Sequence, residues 1–118
     1  MAKNDHLGEF EQLALLAVLR LGNEAYGATI QDELDRTAGR SSAISSIYIT
    51  LTRLESKGLV RSSMESPANN ASAGAGDGRG GRARRYFRLQ PAGVQALKAS
   101  RSSLMNMWDG VEKELEAV

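Results

Sequence analysis

The chain has 118 residues, 42% of them apolar, and a net charge of +1, so it forms one domain or one domain with an extra helix. It has no cysteine, which excludes disulfides and thiolate zinc sites, and no apolar run long enough to cross a membrane. The N-terminal residues lack the apolar segment of a secretory signal, so we expect a cytoplasmic protein whose nucleic-acid binding, if any, depends on local charge.

Two helices are indicated near the N-terminus by apolar residues at helical spacing. The first runs from Gly8 to about Leu21 and is apolar on several sides. This breadth suits contact with a second subunit as well as with its own core, and we assign Phe10 to that interface. The second helix spans 26–38, with Gly39 as its C-terminal cap. Four residues of this helix are predicted to face water: Asp32, Glu33, Asp35 and Arg36.

A third helix is predicted over residues 46–57, with Ser45 as its N-cap and Gly58 in a left-handed conformation after its end. One face is apolar, with Ile47, Leu51 and Leu54. A polar stripe at the same spacing comprises Ser46, Thr50, Arg53 and Lys57. Hydroxyls and cations bind phosphates and base edges, although such a stripe is also typical of an ordinary solvated face. Two short helices before a third fit a helix-turn-helix arrangement.

A two-stranded hairpin is predicted from Leu59–Met64 and Tyr86–Gln90. In the second strand Phe87 and Leu89 alternate with Tyr86 and Arg88, the pattern of a half-buried strand. The loop between the strands, 65–83, is rich in Gly, Ala, Ser and Asn, and we expect it to be mobile. Its three glycines in a G-x-G-x-x-G pattern do not indicate a dinucleotide site, because a strand follows them where a helix is required: Gly76, Gly78 and Gly81.

Arginines cluster at the end of this loop and along the second strand: Arg79, Arg82, Arg84, Arg85 and Arg88. Only Asp77 lies nearby to balance them. In a chain of net charge +1 this is a distinct basic patch, which favours DNA contact over a purely solubilising role.

The last helix is predicted to run without interruption from Pro91 or Ala92 to about Glu116. Its apolar residues follow a heptad seam with one polar member: Val94, Leu97, Arg101, Leu104, Trp108, Val111 and Leu115. Because so small a domain cannot cover the whole seam, we assign the part from Leu104 onward to a dimer interface: Leu104, Trp108, Val111 and Leu115. The alternative is a helix folded back on its own domain. We therefore divide the chain into a winged-helix domain, 1–90, and a C-terminal dimerisation helix, 91–118.

Four segments in order resemble the PadR family of transcriptional regulators, which are winged-helix proteins of bacteria and archaea. They are Leu7-Gly-Glu-Phe-Glu with Leu13-Ala-Leu-Leu, Ala25-Tyr-Gly-Ala-Thr-Ile30, Ser46-Ile-Tyr48 with Leu51 and Arg53-Leu-Glu-Ser-Lys-Gly-Leu59, and the run 82–93 that ends Gln-Pro-Ala-Gly93. The resemblance implies a winged helix-turn-helix, repression as the mode of action, and the compact subgroup, whose fourth helix forms the dimer.

Three features depart from the family pattern. Gln90 replaces a Thr that usually caps the fourth helix, Ser45-Ser46 replaces a common Gly-Thr pair, and the loop 65–83 is longer than a typical wing tip. These departures affect the helix cap and the details of DNA contact rather than the fold.

Together, these observations predict a mainly α fold with a small β-hairpin that binds double-stranded DNA as a homodimer. The residues assigned to DNA contact are Ser46, Tyr48, Thr50, Arg53, Lys57, Arg82 and Arg84. The alternative is a winged-helix protein-interaction module without DNA binding. No nucleophile–base pair is present, so we do not expect an enzyme, and we expect neither cofactor nor metal. Trp108 on the seam is predicted to be either a packing residue or the wall of a site for a planar aromatic effector.

Overall fold

The computed structural model of the chain describes residues 6–65 and 83–117. Three helices come first, α1 (Glu9–Leu21), α2 (Gly27–Ala38) and α3 (Ile44–Ser56), with a short 3₁₀ turn, 22–24, after α1. They are followed by β1 (Val60–Glu65), β2 (Arg84–Leu89), α4 (Pro91–Trp108) and α5 (Glu112–Glu116). The predicted class, mainly helical with one β-hairpin, is confirmed. No helix in the described ranges is long and apolar enough to cross a membrane.

The core lies where α1, α2 and α3 pack against one another and against β2. Its largest fully buried side chains come from all four elements, and they include Leu15, Ile30, Ile47, Leu51, Leu54 and Phe87. Apolar residues at helical spacing predicted this core, because each helix buries the stripe that its sequence carries.

The hairpin is antiparallel, with Val60 opposite Leu89 and Glu65 opposite Arg84. The prediction that β2 is buried on one face only was wrong, because Tyr86 is buried in addition to Phe87. Tyr26 covers the second face: its ring meets that of Tyr86 edge-on, with centroids 5.2 Å apart. The Phe87 N–H also donates to the Ala25 carbonyl at 2.9 Å, which fastens the hairpin to the start of α2.

Glu33 was predicted to face water, but it is buried. Its carboxylate accepts hydrogen bonds from Thr37 Oγ1 and Arg20 Nε, both at 2.6 Å, and from Arg36 Nη2 at 3.3 Å. The bond from Thr37, followed by that from Arg20, lowers the pKa of Glu33. A buried carboxylate with these partners ties α1 to α2.

The start of α3 also differs from the prediction. The helix begins at Ile44, because the Ile47 N–H already donates to the Ala43 carbonyl at 3.1 Å. Ala43 is the N-cap, and no side chain caps this end, so Ser45 lies inside the first turn. Gly58 does adopt the predicted left-handed conformation, with φ of 79°.

The predicted single long C-terminal helix is interrupted. The helix α4 ends at Trp108, and Gly110 has a φ of 87°, the left-handed conformation that ends helices. The separate helix α5 follows, so the heptad seam does not continue on one straight axis. Every residue from Arg101 to Ala117 is exposed, and none of them belongs to the buried core.

The start of α4 packs very closely on the hairpin. Gln90 is the N-cap but makes no side-chain cap bond. This agrees with the weaker cap expected because Gln90 replaces the Thr that usually caps this helix in the family. Two residues after Pro91, Gly93 is buried, and a Cβ at this position would overlap the Leu59 carbonyl oxygen and lie 2.6 Å from Leu89 Cδ1.

We therefore expect Gly93→Ala to destabilise the protein by about 1–3 kcal/mol, the usual cost of overpacking. In an unobstructed helix the same change would stabilise by up to about 1 kcal/mol. Urea denaturation at one fixed protein concentration measures the effect, with Gln95→Ala on the exposed side of α4 as the control. A gain of stability in Gly93→Ala would show that the close approach is not present.

Candidate nucleic-acid interface

The outer face of α3 is determined by the residues that the core takes from this helix. Ile47, Leu51 and Leu54 are fully buried, and α3 packs against α1 and α2. The exposed side chains on the other side are mostly short: Ser45, Ser46, Ile49, Thr52, Arg53 and Ser56. A helix with short outer side chains can approach the floor of a DNA major groove, which is about 12 Å wide. We call these six residues the outer face of α3.

Among the predicted contact residues on this helix, Ser46 and Arg53 are exposed. Thr50 is only 7% exposed, so its assignment to DNA contact was wrong. Thr50 lies three residues after Ile47 and four before Leu54, a spacing that places it on the buried side of the helix. Because threonine is polar, the sequence pattern assigned Thr50 to the polar stripe rather than to the buried side.

Lys57 follows the last residue of α3 and is directed toward α1. Its Nζ lies 3.5 Å from an Oε atom of Glu11, and about a third of its side chain is exposed. Binding of a phosphate by Lys57 would therefore compete with this ion pair.

Tyr48 positions α3 against its neighbours. Its side chain is half-buried, and its ring lies 6.1 Å from that of Phe87. Its hydroxyl lies where a side chain of Gly27 would be, because a Cβ on Gly27 would come within 2.6 Å of that oxygen. The ring is therefore enclosed between the start of α2 and β2.

A hydrogen-bonded cluster joins α3 to the hairpin. The Glu55 carboxylate accepts bonds from the N–H and hydroxyl of Ser62, at 3.1 and 2.9 Å, and from Arg85 Nη2 at 2.8 Å. Arg85 Nη1 also lies 3.5 Å from Thr52 Oγ1 on the outer face. Burial alone raises the pKa of Glu55, but the bonds from Ser62 and Arg85 outweigh it, so the pKa is lowered overall. We call Glu55, Ser62 and Arg85 the helix–wing clamp.

The other arginines of the hairpin point in different directions. Arg84 is exposed, and its guanidinium carbon lies 4.6 Å from the centre of the Tyr26 ring. Arg88 Nη1 donates to Asn23 Oδ1 at 2.9 Å. Arg79 and Arg82, together with the three loop glycines, lie outside the described residues. Within the described part of the hairpin, the predicted basic patch is thus divided between contacts to α3 and contacts to the segment before α2.

Four members of the outer face were not among the predicted contact residues: Ser45, Ile49, Thr52 and Ser56. Ser45 was taken as a cap because the helix start was placed two residues late. Ile49 was passed over because it is apolar, and Thr52 and Ser56 because they lie beside the predicted polar stripe rather than on it. The burial of Ile47 and Leu51 could have identified them, since residues opposite a buried stripe must face outward.

A second surface lies between α1 and α4. It is a groove of about 630 Å³, lined mainly by apolar side chains that include Leu16, Leu19, Leu97, Leu104, Met105 and Trp108. Leu104 and Trp108, like Val111 and Leu115 on the far side of the break, remain substantially exposed. Phe10 is instead half-buried against its own core. We call this surface the α1–α4 groove.

The family model for the PadR-like family of transcriptional regulators matches residues 15–99, which is well over half of the chain. The chain belongs to the PadR-like family. Membership supports a DNA-binding regulator and agrees with the prediction that the protein is not an enzyme. No relative among curated proteins was found by sequence comparison.

Solved structures of PadR-type regulators share this fold. A PadR family regulator from Eggerthella lenta is 26% identical, with a TM-score of 0.63 over 93% of this chain and 88% of that one. A PadR family regulator from Clostridium difficile is 19% identical, with a TM-score of 0.62 over 90% and 98%. A transcriptional regulator from Clostridium thermocellum is 17% identical, with a TM-score of 0.65 over 87% and 89%.

The helix–wing clamp should stabilise this PadR-like protein in a pH-dependent way. We expect Glu55→Gln to cost about 1 kcal/mol at pH 7, since the clamp is charged but partly solvated. The folded-state pKa of Glu55 is lowered, so its contribution is present above the unfolded-state pKa and is lost as the pH falls through the folded-state pKa. The difference in unfolding free energy between the wild type and Glu55→Gln should therefore become smaller below about pH 4.

Thermal unfolding between pH 7 and pH 3 measures this difference. Asp32→Asn is a suitable control, because its pair with Arg36 is exposed and should contribute little to stability. A cost of Glu55→Gln that stays constant down to pH 3 would show that the charge of Glu55 is not what the clamp depends on.

Proposed function

We propose that the protein is a sequence-specific transcriptional repressor that acts as a homodimer on an inverted-repeat operator. The observation that carries this proposal is the outer face of α3, a row of short exposed side chains with one unburied cation, Arg53, on a helix that the core holds rigidly. Repression follows the usual mode of the family that the sequence resembles, and the two-fold symmetry follows from the proposed dimer.

In this proposal α3 enters a major groove. Ser46 and Arg53 contact base edges or nearby phosphates, and Lys57 exchanges Glu11 for a phosphate. Tyr48 acts mainly by positioning α3, because its ring is enclosed and its hydroxyl faces α2. On the wing, Arg82 and Arg84 contact the DNA backbone or the adjacent minor groove. Half-site centres would then lie about 10 base pairs apart, or a multiple of that distance.

The α1–α4 groove is the surface that we assign to dimerisation. Support comes from its apolar lining and from the exposure of every residue from Arg101 to Ala117, none of which belongs to the buried core. Contiguous exposed apolar surface commonly marks an interaction site. The dimer would cover Leu104, Trp108, Val111 and Leu115, while Phe10 contributes only the part of its ring that its own core leaves uncovered.

The same groove is the proposed effector site. Trp108 lines it together with Met105 and Leu104, and a planar aromatic compound could stack on the indole ring. In a two-fold dimer two such rings would face the axis. The groove volume of about 630 Å³ is within the range of ligand pockets.

A protein-interaction module that does not bind DNA is the second candidate. It is favoured by two cations beside the outer face, Lys57 and Arg85, which are engaged by Glu11 and Glu55 rather than directed outward. The two candidates differ in whether the protein recognises a duplex at all.

Selection of bound duplexes from a random pool at physiological salt should enrich an inverted repeat. We expect Arg53→Ala to weaken binding to the selected duplex about 10- to 100-fold, without loss of the dimer. Lys113→Ala, which removes an exposed cation on α5, should change the affinity little.

If each dimer neutralises about 6–10 phosphates, affinity should fall about 10³- to 10⁵-fold between 50 and 200 mM salt. A flat salt response, or no enriched repeat, would favour the protein-interaction module.

Sedimentation equilibrium should show a wild-type dimer and a monomeric Leu104→Asp variant, because the substitution buries a charge in the proposed interface. Met107→Asp is the matched control: Met107 is 76% exposed on the same helix but does not line the groove. Equal masses for the two variants would contradict the assignment of the interface.

Planar aromatic compounds should quench Trp108 fluorescence in the wild type and in Met107→Asp, but not in the monomeric Leu104→Asp variant. The absence of quenching across a varied panel of compounds would contradict the effector site.

A further inference from the structure

Ile49 is an apolar side chain in the middle of an otherwise polar surface. It is 57% exposed, and its exposed neighbours on the outer face are Ser45, Ser46, Thr52 and Arg53. Single exposed apolar residues are common on proteins, so exposure alone has no meaning. Its location is what distinguishes Ile49: it lies four residues after Ser45 and four before Arg53, at the centre of the face that we propose to enter the major groove.

The chemistry of the groove restricts what such a side chain can recognise. Base edges in the major groove present hydrogen-bond donors and acceptors, and the C5-methyl group of thymine is the apolar group among them. The serine and threonine side chains around Ile49 are shorter, so Ile49 has the longest side chain of the outer face after Arg53. An apolar contact with a thymine methyl is therefore the base contact that this position favours.

The charges around the outer face lead to the same conclusion. Lys57 and Arg85, the cations that flank it, lie 3.5 and 2.8 Å from the carboxylates of Glu11 and Glu55. Base recognition on this face therefore rests on few groups, chiefly Arg53, the hydroxyls and Ile49. An apolar residue at the centre then contributes a larger share of the sequence preference than it would beside several free cations.

We propose that Ile49 is a specificity-determining residue that reads one thymine in each operator half-site through its C5-methyl group. This inference rests on the proposed function, since it requires α3 to lie in the major groove. It deepens that function by naming a base and the atom by which it is recognised.

The test replaces single thymines of the selected duplex by deoxyuridine, which lacks only the methyl group. Replacing the recognised thymine in one half-site should lower the affinity about 4-fold, the effect of one buried methyl group. Replacing it in both half-sites should lower the affinity about 15-fold. In Ile49→Ala the affinity for the thymine duplex should fall, and the difference between thymine and deoxyuridine should disappear. Ile49→Val should keep part of that difference. Lys113→Ala, an exposed change on α5 and away from this face, should keep all of it.

The outcomes separate this inference from the proposed function. If a repeat is selected but no thymine is sensitive to loss of its methyl, or if Ile49→Ala remains as sensitive as the wild type, the role of Ile49 is overturned and DNA binding stands. If no duplex is enriched, the proposed function fails and this inference fails with it. Because Ile49 is exposed, circular dichroism should confirm that each variant is folded before binding is measured.

Discussion

The burial of one face of α3 is the constraint on which the rest of the structure depends. Ile47, Leu51 and Leu54 have no exposed surface, and their burial fixes the rotation of the helix about its own axis. The enclosed ring of Tyr48 fixes the same rotation from the side, since it fills the space that Gly27 leaves open. Every residue of the outer face is presented to solvent as a consequence of these contacts. The interface is therefore preorganised by hydrophobic packing rather than by the polar groups that would touch a partner.

Sequence periodicity was sufficient to predict the order of the elements and the apolar members of the core, because these depend on spacing that the chain displays directly. It failed where residue type and position disagree. Thr50 and Glu33 are polar by composition yet lie on buried sides of their helices. The Glu33 carboxylate accepts hydrogen bonds from Thr37, one turn further along α2, and from Arg20 on α1. The contact with Arg20 is set by the packing of α1 on α2, which the local pattern of α2 does not encode.

The break between α4 and α5 has a different origin. The heptad pattern of apolar residues continues through it, so periodicity alone predicted one helix. The signal against that prediction was local: Asp109-Gly110 is a turn dipeptide, and Gly110 takes a left-handed conformation that ends α4. The apolar residues on both sides of the break remain exposed, so the pattern identified an exposed apolar surface correctly but not the end of the helix.

The α1 helix joins the two surfaces of the molecule. Its buried residues pack against α2 and α3, whereas Leu16 and Leu19 remain exposed and line the α1–α4 groove. Glu11 of the same helix holds Lys57 at the end of α3. Since the outer face of α3 is fixed within one subunit, a ligand in the groove would leave that face intact. In a dimer joined through the groove, it would instead alter how far apart, and at what angle, the two copies of α3 are held. Because a two-fold operator has fixed half-site spacing, a small change in that geometry is enough to weaken binding to both half-sites at once.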